Sequence, residues 1–276
     1  MSLDTEWIRY GDSGEYSGYV ARLEGVREPM PAVIVLQEIW GVDSHIQDLT
    51  RRFAQAGYTA FAPDLFARNG ERPEPLRAER VQEAKEFLNA IPQANWRDLE
   101  KRQAALALLP ANKMKLVSDS LDYLFNLSGM MPNFVQQAVM TASWLRETYE
   151  YSLGQGVASV GFCMGGGLSG ILAGKDSSLK GAVIFYGSGP SAELIPEIQC
   201  PMLGFYGELD KRITDEVPAL GEALFQAGKQ FDYHIYVNAP HAFFNDTRPS
   251  FQVDAARDAY ARTLTFLQHV LTSSVR

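Results

Sequence analysis

The sequence predicts an α/β fold: a doubly wound, mostly parallel sheet with helices on both faces. Three observations point there. Ala32-Val33-Ile34-Val35-Leu36 and Val157-Ala158-Ser159-Val160 are short apolar runs of the kind buried on both faces of a parallel sheet. Strand-like and helix-like periodicities alternate along the chain. Gly161-Phe162-Cys163-Met164-Gly165 lies between the second run and the small-residue stretch Gly166-Gly167-Leu168-Ser169-Gly170, so a strand turns through one residue into a helix.

The elements follow in order. Residues 8–10 and 16–23 predict an antiparallel hairpin around the turn Asp12-Ser13-Gly14. After the strand at 32–36, residues 46–56 read as a helix that Gly57 stops. Residues 58–62 form the next strand, ended by Pro63-Asp64. The alternation is then interrupted. Val81, Ala84, Leu88 and Ile91 make one helical stripe, Trp96, Leu99, Gln103 and Leu106 a second, and Val117, Leu121, Leu124 and Phe125 a third. Val135, Ala138, Ala142, Leu145 and Tyr149 make a fourth, which leads into the strand before Cys163. Residues 74–130 are therefore read as a helical insertion, either a roof over a site at the strand ends or extra packing outside the sheet. Residues 180–186, 202–207 and 231–237 are further strands, and 252–270 is a closing helix. A chain of 276 residues suits a single domain, 1–276, carrying this insertion.

Composition narrows the function classes. Charged residues are 21% and hydrophobic ones 46%, ordinary for a globular protein, and a net charge of −8 argues against a nucleic-acid partner. The first residues, Met1-Ser2-Leu3-Asp4-Thr5-Glu6-Trp7, lack a basic segment followed by an apolar one, and no apolar run reaches bilayer length. The expectation is a cytoplasmic protein with no membrane partner. Cys163 and Cys200 are too few for a disulfide framework or a metal cluster, and the triad chemistry read below needs neither a metal nor an organic cofactor.

The chemistry is read from the strand ends, where open α/β sheets place their sites. The corner at Cys163 has the form of the nucleophile elbow of α/β-hydrolases. There the flanking glycines permit close backbone approach, and the helix N-terminus favours a thiolate. Asp210 follows the strand 202–207, and His241 follows the strand 231–237. The order nucleophile, acid, histidine is the order such enzymes require. His241 would accept the thiol proton and Asp210 would orient it; a turn or helix-cap aspartate is the plainer reading of Asp210. Backbone N–H groups of Ile39 and Met164 are the candidate oxyanion hole. Glu38 directly follows a buried strand, a costly place for a carboxylate unless it is paired or sits at a site; an exposed loop glutamate is the alternative. Cys200, before Pro201 at a strand entrance, reads as structural.

These motifs, together with Leu36-Gln37-Glu38-Ile39-Trp40-Gly41, Pro63-Asp64-Leu65-Phe66-Ala67-Arg68, Gly207-Glu208-Leu209-Asp210 and His241-Ala242-Phe243-Phe244-Asn245-Asp246-Thr247-Arg248-Pro249, resemble the dienelactone hydrolases, or carboxymethylenebutenolidases. The resemblance runs from about residue 10 onward, apart from the insertion. It implies hydrolysis of an ester or enol-lactone through a Cys163–His241–Asp210 triad and an acyl-enzyme, with Glu38 drawing off the thiol proton as substrate arrives. The dienelactone-cleaving members place an arginine four positions after the histidine to grip the substrate carboxylate. This chain has Asn245 there, which loosens the link to dienelactone itself. Arg248, seven positions after His241, and Trp40 are the candidate substrate contacts, though an arginine that orders its loop through a surface ion pair would look the same. The expected partner is a small ester or lactone. The alternatives are a broader carboxylesterase or thioesterase, a non-catalytic binding protein on the same fold, and a redox-sensing thiol protein.

Overall fold

The computed structural model describes residues 2–92, 95, 96 and 98–272. The chain opens with the hairpin β1 (Leu3–Tyr10) and β2 (Tyr16–Leu23), and β1 starts well before the expected strand. Six parallel strands follow: β3 (Ala32–Leu36), β4 (Thr59–Pro63), β5 (Val157–Phe162), β6 (Gly181–Phe185), β7 (Met202–Gly207) and β8 (Phe231–Tyr236). One eight-stranded sheet results, in the order β1-β2-β4-β3-β5-β6-β7-β8, with β2 antiparallel to β4 and all later pairings parallel. The strand order reverses beside β3 and β5, and a crevice opens beyond their carboxyl ends.

Side chains of a strand alternate between faces, so β3 feeds two cores. Val33 and Val35 pack with Ile46, Leu49 and Phe53 of α1 (Ser44–Gln55) and with Ala259 and Leu267 of α9 (Val253–Thr272). Ile34 and Leu36 point the other way. They pack with Phe134 and Leu145 of α5 (Met131–Glu147), Leu168 and Leu172 of α6 (Met164–Lys175) and Leu224 of α8 (Val217–Gln226). A further short helix, α7 (Lys211–Thr214), follows β7.

The interruption holds α2 (Ala78–Asn89), α3 (Leu99–Leu106) and α4 (Ala111–Phe125), flanked by 3-10 turns at Glu74–Leu76 and Leu127–Met130. Val81, Ala84, Leu88, Val117, Leu121 and Leu124 join the core that contains Ile34 and Phe134. The second stripe needs correction. Asp98 accepts from the N–H of Lys101 at 3.2 Å and so starts α3 after Trp96, not at it. Leu99 is exposed, and Leu106 is the buried residue of α3. Freed from the helix, Trp96 folds back on α2, its indole N–H donating to the carbonyl of Leu88 at 2.8 Å.

Candidate active site

Steric necessity builds the elbow. Cys163 has φ of 54°, a conformation costly for a side-chain-bearing residue. A Cβ on Gly161 would meet the Gly165 carbonyl oxygen at 1.8 Å, and one on Gly165 would meet the Leu36 carbonyl oxygen at 2.2 Å. Both glycines are therefore obligatory, and the start of α6 lies directly against the end of β3. Beneath the corner, Phe162 stacks on Phe185 and Phe244 with ring centroids 4.7 and 5.6 Å apart.

Three side chains converge above that floor. His241 Nε2 is 3.2 Å from Cys163 Sγ, and His241 Nδ1 is 2.5 Å from Asp210 Oδ2. Asp210 does stand at the N-cap of α7, but its carboxylate makes no cap bond and turns to the imidazole instead. Removal from water opposes charge on His241. The neighbouring sulfur and the Asp210 carboxylate outweigh it and lift its pKa from 6.5 to about 10. Cys200 is buried, and burial pushes its thiol up to about 12.

Glu38 is 2% exposed, so the exposed-loop alternative fails. Its Oε1 accepts from the Tyr186 hydroxyl at 3.2 Å and its Oε2 from the Asn245 amide at 2.7 Å, both neutral donors. Tyr186 was not anticipated. It follows β6, another strand end, has φ of 39° and lies 5.1 Å from the His241 ring. Burial, with Glu38 and Cys163 nearby, raises its pKa well above 10 and keeps it a donor. Its place just past a strand was the signal available in the sequence.

A cavity of about 160 Å³ adjoins these groups, lined by Glu38, Ile39, Trp40, Cys163, His241 and Arg248, with Trp96 and Phe125 from the helical interruption. The helical interruption thus has its stripes in the core and two of its rings in the cavity wall. Phe87, by contrast, packs in the core without lining the cavity. Arg248 makes no surface ion pair among the described residues. Its guanidinium carbon sits 4.4 Å from the Trp96 ring centroid and 5.9 Å from that of Trp40, and its buried Nε has no hydrogen-bond partner among the described residues. Met164 is the first residue of α6, so its N–H has no partner one helical turn back. No group of three or more His, Cys, Asp or Glu suited to holding a metal ion occurs among the described residues.

With this geometry in place, comparison with known proteins is decisive. The sequence model of the dienelactone hydrolase family matches residues 16–271. The chain belongs to the dienelactone hydrolase family. It is 36% identical over 272 residues to a "Putative carboxymethylenebutenolidase" of Saccharolobus solfataricus, covering 97% of this chain and 99% of that one. A Yersinia pestis protein of the same name is 31% identical, with 97% and 91% covered. The crystal structure of a "Putative Dienelactone Hydrolase" from Klebsiella pneumoniae subsp. pneumoniae superposes with a TM-score of 0.68 at 26% identity, covering 97% of this chain and all of that one. This dienelactone hydrolase relative is accordingly a hydrolase with the family's α/β-hydrolase fold. Among the described residues, no helix is long and apolar enough to cross a membrane.

Proposed function

We propose that this hydrolase cleaves a small ester or enol-lactone through a covalent acyl-enzyme on Cys163. The observation that carries the reading is the unbroken line Cys163 Sγ, His241, Asp210, with contacts of 3.2 and 2.5 Å. The Cys163 thiolate attacks the carbonyl carbon, and the N–H groups of Ile39 and Met164 stabilise the oxyanion that forms. The C–O bond then breaks, and the leaving oxygen takes the proton held on His241. In the second half, His241 removes a proton from water, the hydroxide adds to the thioester, and the thiolate departs with the acid product. Asp210 fixes the imidazole throughout. Glu38 is assigned the role of assisting thiolate formation, supported by its burial beside the cavity. No cofactor enters these steps.

Arg248 is assigned to an anionic group of the substrate. A buried guanidinium with an unused N–H and two aromatic neighbours suits a carboxylate held against a planar body. A broader carboxylesterase is the second reading. It is favoured by Asn245 in place of the family's carboxylate-gripping arginine and by the rings of Trp96 and Phe125 in the wall. A turnover screen over aryl esters, thioesters and enol-lactones, with and without a carboxylate, tests both readings. Turnover retained in Cys163→Ala overturns the mechanism. Equal rates on carboxylated and plain esters, unchanged in Arg248→Met, select the broader esterase.

A further inference from the structure

We infer that Lys85, on α2 of the helical interruption, is a positioning residue for Glu38; this rests on the reading that Glu38 assists Cys163. Lys85 is a lysine buried almost completely, which demands compensation. It finds it in two loops far apart in sequence. Its Nζ is 2.8 Å from Asp43 Oδ2, on the segment that begins at Glu38 and also carries Ile39 and Trp40. The same Nζ donates to Thr247 Oγ1 at 3.0 Å, on the segment that follows His241.

Those are the two segments joined by the Glu38–Asn245 hydrogen bond, and the bonds between run in one direction. Thr247 Oγ1 accepts from Lys85 and so directs its own proton to Asn245 Oδ1, 2.7 Å away. The Thr247 N–H reaches the same oxygen at 3.0 Å. With Oδ1 taken twice, the Asn245 amide can turn only its Nδ2 to Glu38 Oε2. At the other end, Asp43 uses its second oxygen to accept from the Ile46 N–H at 3.0 Å, which seats it at the start of α1. One cation from the interruption therefore ties together the loops that hold Glu38 and its amide partner, and orients that amide. Neither Lys85 nor Thr247 lines the cavity.

The test separates acylation from deacylation by burst kinetics on a p-nitrophenyl ester. Thr247→Val cuts the chain at an exposed position and keeps the Lys85–Asp43 ion pair, so folding is not at stake. Lys85→Met removes the cation, and Lys85→Arg restores it. Thr247→Val and Lys85→Met should slow acylation about three- to tenfold, the lower part of the range of couplings within one hydrogen-bonded network, and leave deacylation unchanged. Lys85→Arg should recover most of the loss. In a Glu38→Gln background, Thr247→Val should add nothing. If Glu38→Gln slows acylation but Thr247→Val does not, or if the two effects multiply, Lys85 is not a positioning residue. If Glu38→Gln itself leaves acylation unchanged, the role of Glu38 falls and the positioning role falls with it.

Discussion

At Cys163 the chain holds a side chain in a backbone conformation that the glycines two positions to either side, Gly161 and Gly165, make possible. Such strain persists where the surroundings fix it and is a frequent mark of a reacting group. Alkylation should therefore follow Cys163, because burial keeps Cys200 a thiol up to about pH 12; mass spectrometry after one equivalent of iodoacetamide checks this. His241 yields a titration with a defined sign. Its pKa of about 10 lies above the ordinary 6.5, so the ring stays protonated at neutral pH. In Cys163→Ala the sulfur is gone, and the imidazole titration followed by NMR should move down. Acylation, which needs that proton for the leaving group, should decline as pH rises through about 10. Cys163, Asp210 and His241 were legible in the sequence because each follows a strand and glycine spacing marks the corner. The partners of Glu38 were not. Tyr186 and Asn245 reach it across 148 and 207 positions, and no local pattern records a contact of that span.

At the scale of elements, the elbow and β3 form one unit. Gly165→Ala would drive a methyl group into the Leu36 carbonyl and displace the loop that carries Glu38 and Ile39. Loss of activity beyond any loss of secondary structure is expected, measurable by circular dichroism beside ester turnover. The helical stripes of α2 and α4 were readable from periodicity, but the docking of those helices was not, since a stripe says only that something covers it. Trp96 shows the limit most plainly: it lies on the helical spacing of α3, yet the Asp98 cap excludes it from that helix. Trp96 and Phe125 line the cavity while Leu121 does not. Trp96→Ala and Phe125→Ala should therefore change the ranking of acyl groups. Leu121→Ala should leave the ranking alone and cost about 2–5 kcal/mol of stability. Parallel denaturant titrations and selectivity assays distinguish them.

For the whole molecule, the core beneath α5 and α6 runs without a break into α2 and α4. We expect residues 1–276 to unfold as one domain, and a single calorimetric transition shared by wild type and Leu121→Ala checks it. Two separable transitions would make the helical stretch a unit of its own. The doubly wound order of the sheet was foreseeable from alternating elements, whereas α7 and α8 were too short or too weakly marked to be read. The Trp40–Trp96 pair has an optical consequence. Their rings lie 6.0 Å apart at 80°, one from the loop after β3 and the other from the stretch between α2 and α3, with a guanidinium against Trp96. Two indoles so close share their excited states, so near-ultraviolet circular dichroism and emission carry a signal belonging to the pair alone. The protein thus has an intrinsic chromophore that senses whatever enters between the sheet and its helical cover, and occupancy can be read by light without a label.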